Sequence, residues 1–84
     1  RFKTRDLNLL LAKLLLEHPL PADVKIKFIS QVDQNPPTFL ISCNDHSKVH
    51  FSYRRYIENQ IRDAYDLVGT PVKFEFSSTK KSRS

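Results

Sequence analysis

One glycine, one cysteine, no methionine and no tryptophan occur in the 84 residues of this chain. A single glycine excludes the phosphate-cradling loops, which need several glycines to bring backbone N–H groups against the ligand. Cys43 has no partner for an internal disulfide, which fits a reducing compartment and a cytoplasmic location. Long apolar runs are missing too. The longest, Leu9 to Ala12 and Leu14 to Leu16, is split by Lys13 and falls short of the ~20 residues a membrane span needs, so no membrane partner is expected. No secretory or transit pattern opens the chain. The lack of methionine even at position 1 gives the expectation of a piece of a longer protein. This length supports one compact core and leaves no room for a two-lobed nucleotide enzyme.

The net charge of +5 is unevenly placed. Arg1, Lys3 and Arg5 stand at one end and Lys80, Lys81 and Arg83 at the other; without these six, eight basic residues face nine acidic ones. The excess therefore lies in the ends. Basic ends draw a chain toward phosphate polymers through counterion release, and they also occur as plain solubilising ends.

Periodicity divides the body into five elements. Leu7, Leu10, Leu11, Leu14 and Leu15 share one helical face, with Thr4 as the expected N-cap and Pro19 and Pro21 as the stop. Leu9 and Leu16 lie off that stripe, as ordinary surface leucines or as a patch that contacts another domain. Val24, Ile26, Phe28, Ser30 and Val32 alternate with Lys25, Lys27, Ile29 and Gln31, which predicts a strand with the first set inward. Asp33 to Pro37 is turn material, and Thr38 to Asn44 predicts a second strand, antiparallel to the first, with Phe39, Ile41 and Cys43 inward. A second helix is expected from an N-cap at Ser52 to about Asp66, burying Tyr53, Tyr56, Ile57, Gln60, Ile61 and Ala64. Gly69 is placed as its left-handed C-cap, and Val72, Phe74 and Phe76 mark a third strand. The order α-β-β-α-β predicts an α+β two-layer sandwich, a three-stranded sheet with two helices on one face. The other face is expected to show Lys25, Lys27, Lys73, Thr38 and Gln31. Residues 1–77 make the domain, and 78–84 a flexible basic C-terminal tail.

Few residues suggest chemistry. Cys43, His46 and His50 have a zinc-like spacing, but an inward cysteine and no evident fourth ligand argue against a metal site. A buried thiol without a fixed basic neighbour is a poor nucleophile, and no carboxylates cluster, so no catalytic residue is expected. Lys48, Arg54, Arg55 and Arg62 are the stronger set, suited to forking onto phosphates unless Glu58 pairs with Arg55 and Arg62. Tyr65 offers a ring for base stacking, or it packs on Phe51 or the third strand.

The ordered segments Pro36-Pro37-Thr38-Phe39, Ser52-Tyr53-Arg54-Arg55-Tyr56-Ile57-Glu58-Asn59-Gln60-Ile61-Arg62 and Gly69-Thr70-Pro71-Val72 closely resemble the C-terminal domain of the Der (EngA) GTPases. The resemblance extends from Thr4, through Leu7-Asn8 and Ile26 to Gln31, to Phe76. It implies a KH-like domain, here without a GXXG loop, that follows two GTP-binding domains in a protein of bacterial large-ribosomal-subunit assembly. It also implies two kinds of partner. Large-subunit ribosomal RNA would meet Lys48, Arg54, Arg55, Arg62, Lys80 and Lys81, while the parent's own GTPase domains would meet Leu9, Leu16, Lys25 and Lys27. The fragment itself is expected to be a non-enzymatic monomer without cofactor, GTP and magnesium belonging to the missing domains.

Overall fold

A computed structural model describes residues 2–78 and places a layer of two helices against a mixed three-stranded sheet. Helix α1 covers Thr4–Glu17, strands β1 and β2 cover Ile26–Gln34 and Pro37–Cys43, helix α2 covers Phe51–Ala64 and strand β3 covers Lys73–Ser78. A short 3-10 turn, His46–Lys48, lies between β2 and α2. The expected α+β sandwich in the order α-β-β-α-β is therefore present. The sheet order is β1-β2-β3; β1 runs antiparallel to β2, while β3 runs parallel to it, a connection that needs the crossover supplied by α2.

The leucine stripe of α1 buries Leu7, Leu11 and Leu14, and α2 buries Ile57 and Ile61. These meet Ile29, Phe39, Ile41 and Cys43 from the sheet in one cluster. Tyr53 and Tyr56 pack at its edge, whereas Gln60 and Ala64, expected inside, are exposed. The two tyrosines also join the helices: the Tyr56 hydroxyl donates to Leu14 O at 2.9 Å and the Tyr53 hydroxyl to His18 O. Burial pushes both phenols above their ordinary range.

Strand β1 departs from the expected alternation. Ile26 opposes Cys43 and Phe28 opposes Ser42, so Lys27 is an extra residue in a β-bulge. Beyond it the faces exchange. Ile29 and Gln31 turn toward the helices opposite Ile41 and Phe39, while Phe28 points to the open face, 47% exposed. Gln31 is thus not on the open face, and its Oε1 accepts the N–H of Phe2 at 3.0 Å. Thr38, also expected to be exposed there, is buried and donates its hydroxyl to Pro36 O.

The free edge of β1 is covered by α1. Asn8 accepts the N–H of Ile29 through Oδ1 at 2.9 Å, and its Nδ2 donates to Ile29 O at 2.9 Å and Thr4 O at 2.8 Å. One side chain therefore satisfies both backbone groups of a fully buried residue on an edge strand.

The helix ends also differ from the sequence reading. Lys3 precedes α1 in extended conformation and makes no side-chain cap, so Thr4 is the first helical residue. The α2 N-cap is His50, whose Nδ1 accepts the Ser52 N–H at 3.1 Å, and Ser52 lies inside the first turn. At the other end, Asp66 takes the left-handed conformation (φ 55°). Leu67 N–H bonds Arg62 O at 2.7 Å and Asp66 N–H bonds Asp63 O at 3.3 Å, the paired pattern of a Schellman stop. Gly69 (φ 84°) instead serves the next turn, which closes from Thr70 N–H to Leu67 O at 2.9 Å. Strand β3 then extends to Ser78, whose Oγ accepts the His46 N–H at 3.0 Å. Ser78 is therefore strand, where composition placed the start of the tail.

Candidate nucleic-acid interface

The four basic residues singled out in the body separate into distinct roles. Arg54 lies over the Phe76 ring with its guanidinium carbon 5.1 Å from the centroid. Its Nη2 donates to His46 O at 2.7 Å and its Nε to Val49 O at 3.3 Å. Arg62 repeats the arrangement two turns later, 5.7 Å above Phe74, donating to Thr70 O at 3.3 Å and Val72 O at 3.5 Å. Both guanidiniums thus bond backbone carbonyls of the turns flanking α2 and cover the aromatic side chains of β3, tying that edge strand to α2.

Arg55, between them in sequence, faces outward. Its guanidinium stands 5.4 Å from the centroid of Phe51, one helical turn back, and Phe51 is 67% exposed. Glu58 does not pair with Arg55 or Arg62 as the spacing suggested; the one salt bridge among the described residues joins Lys48 Nζ to Asp23 at 3.6 Å. Both of those side chains are about half exposed or more, so the pair is weakly held. Lys80 and Lys81 lie outside the described residues.

Tyr65 is not an outward stacking ring. It packs 4.7 Å from Phe2, which in turn sits 5.7 Å from Phe39, and burial followed by the nearby Asp6 charge pushes its phenol up. Phe51 takes the exposed position instead. The sequence does carry a signal for it: Phe51 and Arg55 are four apart and out of phase with the buried Ile57 and Ile61. At the opposite end of α2, the last turns of the helix and the turn that follows enclose an open groove of ≈ 420 Å³ lined by Asn59, Gln60, Arg62, Asp63, Val68 and Gly69.

On α1, Leu9 and Leu16 are 62% and 81% exposed, off the core stripe as expected. Lys25 and Lys27 are exposed beside the bulge. Cys43, His46 and His50 have separate uses. Cys43 is fully buried, and desolvation pushes its thiol up against a smaller opposing pull from Arg54. The His50 ring caps α2, and the His46 backbone carbonyl holds Arg54. Among the described residues no three His, Cys, Asp or Glu side chains converge on one point.

The chain matches the family described as KH-domain-like of EngA bacterial GTPase enzymes, C-terminal, over residues 1–77. It is 42% identical to a GTPase Der of Thermomicrobium roseum over 86 aligned positions, which cover 98% of this chain and 19% of that protein. Identity to GTPase Der of Clostridium kluyveri is 42%, and to that of Finegoldia magna 41%, each covering 96% of this chain and 19% of the relative. The chain thus spans about a fifth of the length of the curated relatives it matches.

Proposed function

Because the chain belongs to the family of KH-domain-like C-terminal domains of the EngA bacterial GTPases, we propose that it is the RNA-contacting and regulatory module of a GTPase that acts in large-ribosomal-subunit assembly. Its own residues do not fit a nucleotide–magnesium pair, since Gly69 is the sole glycine and no acidic cluster is formed among the described residues. In this reading GTP and magnesium are held by the parent's GTPase domains, and the module works by contact, as a cytoplasmic monomer. KH modules grip nucleotides with a GXXG loop between helices. Here the connection from the 3-10 turn to α2 is Val49-His50, so contact must be made differently.

The observation that carries the RNA reading is Arg55. Its guanidinium meets no carboxylate or carbonyl among the described residues, in contrast to Arg54 and Arg62, and so presents its N–H donors to solvent. Titrating the chain with a large-subunit ribosomal RNA fragment should shift amide resonances of the 3-10 turn and the first half of α2. Shifts confined to Thr79–Ser84, or none, would contradict it.

The exposed Leu9 and Leu16 favour a second reading, an intramolecular clamp that packs on the GTPase domains without touching RNA. Changing both leucines to serine in the parent protein separates the two. A clamp loses domain docking while the RNA affinity of the module is unchanged; an RNA loss from the same change would place the nucleic acid on α1 instead.

A further inference from the structure

Of the exposed phenylalanines among the described residues, Phe28 at 47% lies on the open face of the sheet, and Phe51 is the more exposed. It is 67% exposed at the start of α2, beside the exposed His50 and Ser52, with Arg55 over its ring. The remaining rings of α2 and β3 are committed: Tyr53, Tyr56 and Tyr65 pack against core or helix neighbours, and Phe74 and Phe76 lie under Arg62 and Arg54. An isolated ring among polar neighbours is a poor protein-docking surface, since that use requires a contiguous apolar patch. One ring is enough to stack a nucleobase, and every base offers a π face to it. The adjacent guanidinium adds a cation whose donors are unengaged, and Lys48, in the turn just before the helix, is held only by a 3.6 Å surface ion pair.

We propose that Phe51 and Arg55 form a seat for one unpaired base of single-stranded RNA, the base stacking on the Phe51 ring with Arg55 and Lys48 serving the flanking phosphates. The seat rests on the RNA reading given above and specifies its chemistry: an unstacked nucleotide from a loop or bulge, taken without sequence preference. The absence of GXXG is then no obstacle, because the grip is on the base face and not on a clamped backbone.

The test uses the 84-residue chain and a short unstructured RNA oligomer carrying one 2-aminopurine, whose fluorescence is quenched on stacking. Wild type should bind at low salt and change the probe's emission. Phe51→Ala should weaken binding by about 5- to 100-fold and abolish the change. Phe51→Tyr should keep both, and Phe51→Leu, which retains apolar bulk without a π face, should behave as the alanine variant. Arg55→Ala should lower the log–log salt slope by about 0.7, one phosphate contact on a single strand. Thermal melts should be unchanged throughout, because the ring is outside the core. If wild type and Phe51→Ala bind alike with the same emission, the seat is wrong, RNA binding survives elsewhere on the chain, and Phe51 is left for a protein contact. If Phe51→Leu matches wild type, the contact is apolar and the stacking claim fails. If wild type binds neither the oligomer nor ribosomal RNA, the RNA reading itself falls and the seat with it.

Discussion

Phe39→Ala should remove about 3–5 kcal/mol of stability, enough to leave a domain of this size near or past its folding threshold. Phe39 is fully buried on the central strand, where its ring stacks 5.5 Å from Phe74 and meets the tilted ring of Phe2 at 5.7 Å. Truncation opens a cavity with strand backbone on one side and helix side chains on the other, neither of which can collapse into it without breaking the ladder. The Phe39→Leu change keeps most of the volume and should lose roughly half as much. Urea unfolding of both variants measures this directly, as a fall in the midpoint at constant slope. Equal and small losses would mean that the two layers repack freely, contrary to a core organised around this ring.

Asn8→Ala should cost about 2–4 kcal/mol although it removes no buried apolar side chain. The amide of Asn8 is the partner of both the N–H and the C=O of Ile29, each at 2.9 Å, and Ile29 itself is fully buried. Alanine would leave two edge-strand groups unsatisfied beneath a helix that excludes water. The paired control is Asn8→Asp, which keeps an acceptor for the Ile29 N–H but sets a carboxylate against the carbonyls of Ile29 and Thr4, and should be no better than alanine. Denaturant unfolding reports the energies, and hydrogen exchange at the Ile29 amide reports the place. A rise in exchange at that amide under both variants is expected; protection equal to wild type would show that water or another group replaces the clamp.

These two residues show how far sequence reaches into this fold. The inward position of Phe39 follows from alternation along a regular strand, and the α1 stripe of Leu7, Leu11 and Leu14 follows from a regular helix, so both were legible. Strand β1 was not, because the bulge at Lys27 inserts one residue and turns the side chains from Phe28 to Gln31 to the opposite face, until a second irregularity between Gln31 and Asp33 shifts the register again. Nothing in the residue types announces that insertion; it is fixed by the pairing with β2. The sequence pattern points to the lone glycine as the helix stop, whereas Asp66 adopts the left-handed conformation and Gly69 serves the following turn. Aspartate tolerates that region well enough for the Schellman pair and the burial of Leu67 to select it.

The arginines mark a different boundary. Arg54, Arg55 and Arg62 read alike as basic residues on one helix, and their partners set them apart. Two of them bond backbone carbonyls of the turns before and after α2 and also cover β3 rings, and the ring contacts depend on where β3 lies. A side-chain pattern cannot show a backbone acceptor. Arg55 is distinguished by what it lacks among the described residues, an acceptor of its own, and by the exposed ring beside it. The candidate surface therefore narrows from a row of arginines to the start of α2.

The central claim is that the folded surface, and not only the basic end, meets ribosomal RNA. The most direct test is affinity for large-subunit ribosomal RNA across a salt series, on the full chain and on one truncated after Thr79. Loss of Lys80, Lys81 and Arg83 removes at most three phosphate contacts, so the log–log slope should fall by no more than about 2–3 units while clear binding remains. Adding Arg55→Ala to the truncated chain should then weaken what is left. Binding that vanishes with the tail alone would contradict the account and leave the body as a docking module on an electrostatic tether.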